Sequence, residues 1–185
     1  MAKMAKKLLA LIAVLCFSLV LAKTKAGCPS GFTLIGEKCY YVSREPANWF
    51  NADRKCFNMS SSLLIFDDAK EMQLLTSNLQ VLGFPFKENC TTDSIWTGLT
   101  ALGTGNRFVS HRAGGTVEYT PWCASQPNNI TTRECAAYAN LNDFGYHNTE
   151  CSSNEFPFVC ETKKYNTEAY MCMKKELYLE VDLEV

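Results

Sequence analysis

Ile95-Trp96-Thr97-Gly98-Leu99 is a short, uncharged run that reads as a buried strand. Upstream, Asp67 can cap a helix reaching about Leu82, with Met72, Leu75, Leu79 and Leu82 on one face. Before that helix, Leu63-Leu64-Ile65-Phe66 reads as a short apolar strand. Earlier still, Asn48 is placed to cap a first helix, where Trp49, Ala52, Cys56 and Phe57 recur at helical spacing. Phe32 to Val42 carries β-prone runs around Gly31 and Gly36, consistent with a hairpin. Downstream, a long Gly-bearing stretch from Thr100 to Asn129 precedes two apolar runs, Cys135–Ala139 and Phe156–Cys160. These suit the final strands of an antiparallel sheet. The whole reads as one compact, loop-rich α+β unit.

The ends of the chain place it in a compartment. Lys3, Lys6 and Lys7 precede an apolar stretch from Leu8 to Ala22, too short for a membrane-spanning helix of about 20 residues but suited to an export signal. Ala22 or Ala26 offers a cleavage site, and Ala22, with Val20 two residues before it, is favoured. The expected organisation is a signal peptide at 1–22, a domain at 28–161 and a tail at 162–185.

Of ten cysteines, Cys16 lies in the leader and nine come after it. Dense cysteine behind a leader implies an oxidising compartment and a disulfide framework. Zinc fits poorly, since no C-x-x-C pair occurs and the histidines are only His111 and His147. Nine is odd, so one thiol is free, capped or bridged to another chain. Three N-glycosylation acceptors, at Asn58, Asn89 and Asn129, agree with secretion.

Without residues 1–22 the chain has 15 Lys and Arg against 19 Asp and Glu, a formal charge of −4. With no basic cluster, this argues against nucleic-acid or anionic-membrane binding. In the tail, Leu177, Leu179, Val181, Leu183 and Val185 alternate with polar or acidic residues and Tyr178. That pattern suits a strand, and a frayed end is the alternative.

An ordered series of landmarks resembles the C-type-lectin-like domain family over roughly Cys28 to Glu161. They are Cys28-Pro29 with Gly31-Phe32 and Cys39-Tyr40; Trp49-Phe50-Asn51-Ala52 with Cys56; Trp96-Thr97-Gly98-Leu99; Trp122 and then Gln126-Pro127-Asn128; then Cys135, Cys151 and Phe158-Val159-Cys160-Glu161. The resemblance implies a disulfide-stapled α+β fold of two helices, short antiparallel sheets and a long-loop region. It also implies the pairs Cys28–Cys39, Cys56–Cys160 and Cys135–Cys151. The second closes a loop of about 100 residues, worth about 4.7 kcal/mol in the chain-entropy model. Cys90, Cys123 and Cys172 lie outside that pattern. Cys90–Cys123 is the expected pair, with another pairing of the three left open, and Cys172 is then available to link two chains.

Sugar-binding members use calcium, which takes six to eight oxygen ligands, several of them carboxylates. Carried across residue by residue, the ligand-binding candidates are Gln126, Asn128, His147 and Asn148. Gln126-Pro127-Asn128 stands where the family has its Pro-centred triplet, with proline typically cis, and this version has no carboxylate. A plain surface turn reads the same residues without a ligand. Arg133 stands two residues before Cys135, where a glutamate is expected. The last triplet falls on Tyr146-His147-Asn148. Candidate metal ligands are therefore Gln126, Asn128 and Asn148, with Glu134 and Asp143 as rescuers if Leu141-Asn142-Asp143 loops back toward Asn128. Calcium is the one cofactor the resemblance implies, and its binding is expected to be weak or absent.

Catalysis is not expected, because the cysteines read as oxidised and two histidines leave little acid–base equipment. The expected function is a secreted recognition protein of the C-type-lectin-like class whose partner is an extracellular glycan or glycoprotein. The alternative is a calcium-independent scaffold for a protein ligand. Either is compatible with a homodimer through Cys172.

Overall fold

Polar side chains fix where both helices begin. Asn48 Oδ1 accepts from the Asn51 N–H at 2.9 Å, and helix α1 runs Trp49–Asn58 from that cap. Trp49, Ala52 and Cys56 form its buried stripe. Phe57 points outward, 60% exposed, beneath the Arg112 guanidinium at 4.4 Å. Helix α2 spans Ala69–Val81, and its N-cap is Asp68 rather than the expected Asp67. Asp68 takes the Glu71 N–H at 2.7 Å while Glu71 takes the Asp67 N–H at 2.6 Å. That arrangement satisfies one first-turn N–H that the helix leaves unbonded and the N–H of the residue before the cap. Asp67 is left to pair with Lys38 at 3.0 Å. Leu75 and Leu79 are buried, Met72 partly so, and Leu82 is 44% exposed at the helix end.

The computed structural model describes residues 27–88 and 91–164, and Cys28–Lys164 form a compact unit. Its strands are β1 (Thr33–Ile35), β2 (Lys38–Ala47), β3 (Ser62–Leu63), β4 (Ile95–Thr100), β5 (Val109–Ser110), β6 (Cys135–Leu141), β7 (Asp143–Thr149) and β8 (Phe156–Lys163). They join one sheet in the order β1-β2-β8-β4-β6-β7, with β3 on β8 and β5 on β4. β4 and β8 run parallel, and the other pairs are antiparallel.

Every residue of β4 is buried, as its composition predicts. Gly98 is required there by close approach, since a Cβ would lie 2.7 Å from Leu63 O. The strand expected over Leu63–Phe66 is cut short. Ile65 N donates to Glu161 Oε1 at 3.2 Å and Phe66 N to the Tyr146 hydroxyl at 3.0 Å, so side chains replace the ladder. Strand β7 has no counterpart among the elements expected from sequence. It pairs along its whole length with β6 through a tight turn at Asn142, whose φ is +73°.

Two core clusters flank the sheet. Tyr40, Phe66, Leu75, Leu79, Tyr138 and Tyr146 belong to one, and Trp49, Ala52, Trp96, Phe156 and Phe158 to the other. The Cys56–Cys160 bridge lies in the second and ties α1 to β8. Cys28–Cys39 and Cys135–Cys151 are also formed. Where a bridge from Cys123 to Cys90 was expected, Cys123 is a buried free thiol. Its Sγ packs at Gly145 and donates to Asp143 O at 3.6 Å, so the side chain is turned onto β7. Cys90 and Asn89 lie outside the described residues, as do the leader at 1–22, Cys172 and the alternating tail.

Candidate ligand-binding site

The loop carrying Gln126-Pro127-Asn128 is stitched to β7 before it reaches those residues. Tyr146 N donates to Pro121 O at 2.7 Å and Cys123 N to Tyr146 O at 2.9 Å. Gly145 makes this approach feasible, since a Cβ there would stand 2.6 Å from Pro121 O. Trp122 packs on Phe108 at 4.7 Å and Tyr146 at 5.8 Å between ring centres. The loop then turns through a cis Gln126–Pro127 peptide.

Asn148, on β7 and 2% exposed, holds the loop on both sides of that peptide. Its Oδ1 accepts from Asn128 N at 2.7 Å, and its Nδ2 donates to Asn128 O at 2.5 Å and Arg133 O at 2.7 Å. Its own main-chain N–H donates to Gln126 Oε1 at 3.3 Å. Arg133 Nη1 donates to Asn128 Oδ1 at 2.9 Å. The side-chain oxygens of Gln126, Asn128 and Asn148 therefore each face a protein donor. A guanidinium stands against the oxygen that would be offered to a cation.

His147 is buried at 3% exposure, with Nε2 2.8 Å from Ser94 Oγ. Burial, reinforced by the charge of Arg133, pushes its imidazole down to about 4. Ser94 Oγ itself donates to Thr91 O at 2.6 Å, so the imidazole N–H donates to the hydroxyl. The histidine holds this serine in place and is not arranged to deprotonate it.

The structure thus brings Gln126, Asn128, Arg133 and Asn148 together and places His147 beside them. Glu134 and Asp143 do not join the network. Asp143 pairs with Leu141 at the hairpin tip, whereas Thr149 pairs with Cys135 at its base. At about 3.3 Å per residue, Asp143 stands roughly 16 Å along the strand from Asn148. Asn142 turns the chain directly back, so the looping that would carry Asp143 toward Asn128 does not occur. Glu134 contributes its carbonyl, which accepts from Ala101 N at 2.7 Å and Thr100 Oγ1 at 2.9 Å. Among the described residues, no group of three or more His, Cys, Asp or Glu is placed to hold a metal.

Sequence reading missed a partly buried charge cluster where β2, β8 and the start of α2 meet. Lys38 Nζ lies 2.9 Å from Glu71, 3.0 Å from Asp67 and 3.1 Å from Glu161, and Tyr40 donates to Glu71. Burial pushes Glu161 up to about 7 despite Lys38 beside it. A hollow of about 450 Å³ opens nearby, between Asp53, Asp67, Arg112 and Glu161. It is larger than the one beside His147; there Arg112 donates to Asp53 Oδ2 at 3.0 Å, and Asp53 Oδ1 is buried without a hydrogen-bond partner among the described residues. The residues that the family resemblance singles out converge in the loop network and not in this hollow.

The family model described as "Lectin C-type domain" matches residues 45–162. Human lithostathine-1-beta is 28% identical over 144 residues, covering 77% of this chain and 82% of that protein. A perlucin-like protein of Mytilus galloprovincialis is 23% identical over 133 residues, covering 72% and 81%. Among solved structures, the carbohydrate-recognition domain of the mouse scavenger receptor C-type lectin superposes with a TM-score of 0.61 at 25% identity. It covers 75% of this chain and 98% of that one.

Proposed function

The chain belongs to the C-type lectin domain family, and from that membership and the loop network we propose a secreted recognition protein that engages glycan-bearing ligands without calcium. One observation carries the calcium-free reading. The Arg133 guanidinium bonds Asn128 Oδ1, and the amide oxygens of Gln126 and Asn148 are likewise taken by N–H donors. A calcium ion would have to displace those donors and bind beside a fixed positive charge with no carboxylate to offset it. The glycan part rests on the family and on the scavenger receptor relative, whose domain is named for carbohydrate recognition.

Secretion is supported by the leader-like residues 1–22 and by three disulfides. No described helix is long and apolar enough to cross a membrane. Asn58 and Asn129 are exposed, as glycosylation acceptors must be, and Thr131 Oγ1 donates to Asn129 Oδ1 at 3.2 Å. The activity is binding rather than catalysis, since the one Ser–His contact at the site is buried and has the wrong donor order.

Capture on immobilised glycans and glycoproteins, with calcium and then with chelator, tests this reading. Chelator-insensitive capture is expected. Capture abolished by chelator and restored by calcium would contradict it.

A second reading, a scaffold for a protein partner, is favoured by Phe50 and Phe57, which are 48% and 60% exposed on α1. A disulfide-linked dimer fits either. Cys123 is buried, so a link to another chain would fall to Cys90 or Cys172. A dimer on non-reducing electrophoresis that survives Cys172→Ser would exclude Cys172 as the link.

A further inference from the structure

We propose that the hollow beside the loop network takes an anionic saccharide, its sulfate or carboxylate held by Arg133; this rests on the calcium-free reading above. The hollow, about 240 Å³, lies between the turn at Thr91–Asp93, the Gln126 loop and the base of the β6–β7 hairpin. That volume is below the roughly 300–1,000 Å³ of drug-sized sites, so it admits a single ring with its charged substituent.

The charge of the lining decides the ligand class. No Asp or Glu lines this hollow, although the chain has more acidic than basic residues. Arg133 is its one permanently charged wall residue, and the guanidinium uses only one contact, to Asn128 Oδ1, among the described residues. A guanidinium has five N–H donors in a planar fork, so most remain for an anion.

The rest of the wall suits a sugar. Thr91, Gln126, Thr149 and Asn154 supply hydroxyls and amides, and Phe156 adds an apolar surface. Asn154 Nδ2 donates to Thr149 Oγ1 at 2.9 Å, which orients two of these groups before any ligand arrives. His147, held neutral by burial, completes the wall without a second charge. Here the positive charge belongs to the protein itself and selects a ligand with a negative charge.

The test uses purified mature protein in EDTA at low ionic strength. Three sets of immobilised oligosaccharides are compared: sulfated, sialylated, and the same chains desulfated or desialylated. Capture of one or both anionic sets over their neutral counterparts is expected, weakening with added salt. The preferred set identifies which acid is the source. Arg133→Gln should lose roughly 10–100-fold in affinity, the usual worth of a charge-assisted hydrogen bond. Arg133→Lys, which keeps the charge, should retain part of the binding, and melting temperatures verify that both variants fold. Equal capture of neutral and anionic sets, or an unaffected Arg133→Gln variant, would overturn the anionic assignment while leaving the calcium-free reading standing; no capture of any set would overturn the anionic assignment and count against glycan binding as well. Capture that appears only when calcium is restored would overturn both.

Discussion

At position 148, one side-chain amide bonds three backbone groups of the loop that faces it. Asn148→Ala leaves those partly buried groups without that partner, and a loss of about 1–3 kcal/mol is expected from urea denaturation. His147 gives a pH signature. Its folded value of about 4 lies below the ordinary 6.5, so the unfolded state binds the proton more readily. The stability it contributes is full above pH 6.5 and falls as the pH drops toward 4, by about 3 kcal/mol in all. Glu161 acts in the opposite sense. Raised from 4.5 to about 7, it contributes fully below pH 4.5 and loses that contribution as the pH rises through 7. Subtracting the profile of His147→Gln from that of the native chain isolates the histidine, and a difference that stays flat from pH 4 to 6.5 would contradict its burial as a neutral ring. Gln126, Asn128, Arg133 and Asn148 were legible through the family resemblance, which matches its Pro-centred triplet to Gln126-Pro127-Asn128 and counts its other positions back from Cys135 and Cys151. The Ser94 contact to His147 was not, because its partners are 53 residues apart and meet only through the sheet.

Among the elements, the strongest sequence signals were the ones with a single meaning. Asn48 and the Trp49, Ala52 and Cys56 stripe specify α1, and an uncharged run specifies β4. At α2 two adjacent aspartates competed, and the reciprocal bonds of Asp68 and Glu71 decided between them. Asp68→Ala should cost about 1 kcal/mol, while Asp67→Ala, removing an exposed carboxylate outside the cap, should cost less. Thermal melts of the two variants measure the difference, and equal losses would argue against the assigned cap. β7 was illegible because Phe144-Gly145-Tyr146-His147-Asn148 lacks both strand alternation and an apolar run. Its polar side chains are buried because a loop and a turn satisfy them, and that partnership is created only by the fold. The same reason hid Cys123, whose packing on Gly145 could not be read from spacing to other cysteines.

Across the described residues, two cores and three bridges hold the sheet, and the Gln126 loop is tied to its β7 edge. The Cys56–Cys160 bridge spans 104 residues and lies in the core beneath α1. The fold is similar to that of the mouse scavenger receptor C-type lectin domain, and in this chain Arg133 puts a fixed positive charge on the Gln126 loop network. Thermal unfolding of the mature protein during a calcium titration bears most directly on the effect of that charge. A bound ion at about 100 times its dissociation constant adds about 2.7 kcal/mol, which raises the melting temperature of a domain this size by several degrees. The predicted result is a midpoint indifferent to calcium or chelator. A saturable rise that Arg133→Glu enhances would mean the loop is a calcium site after all.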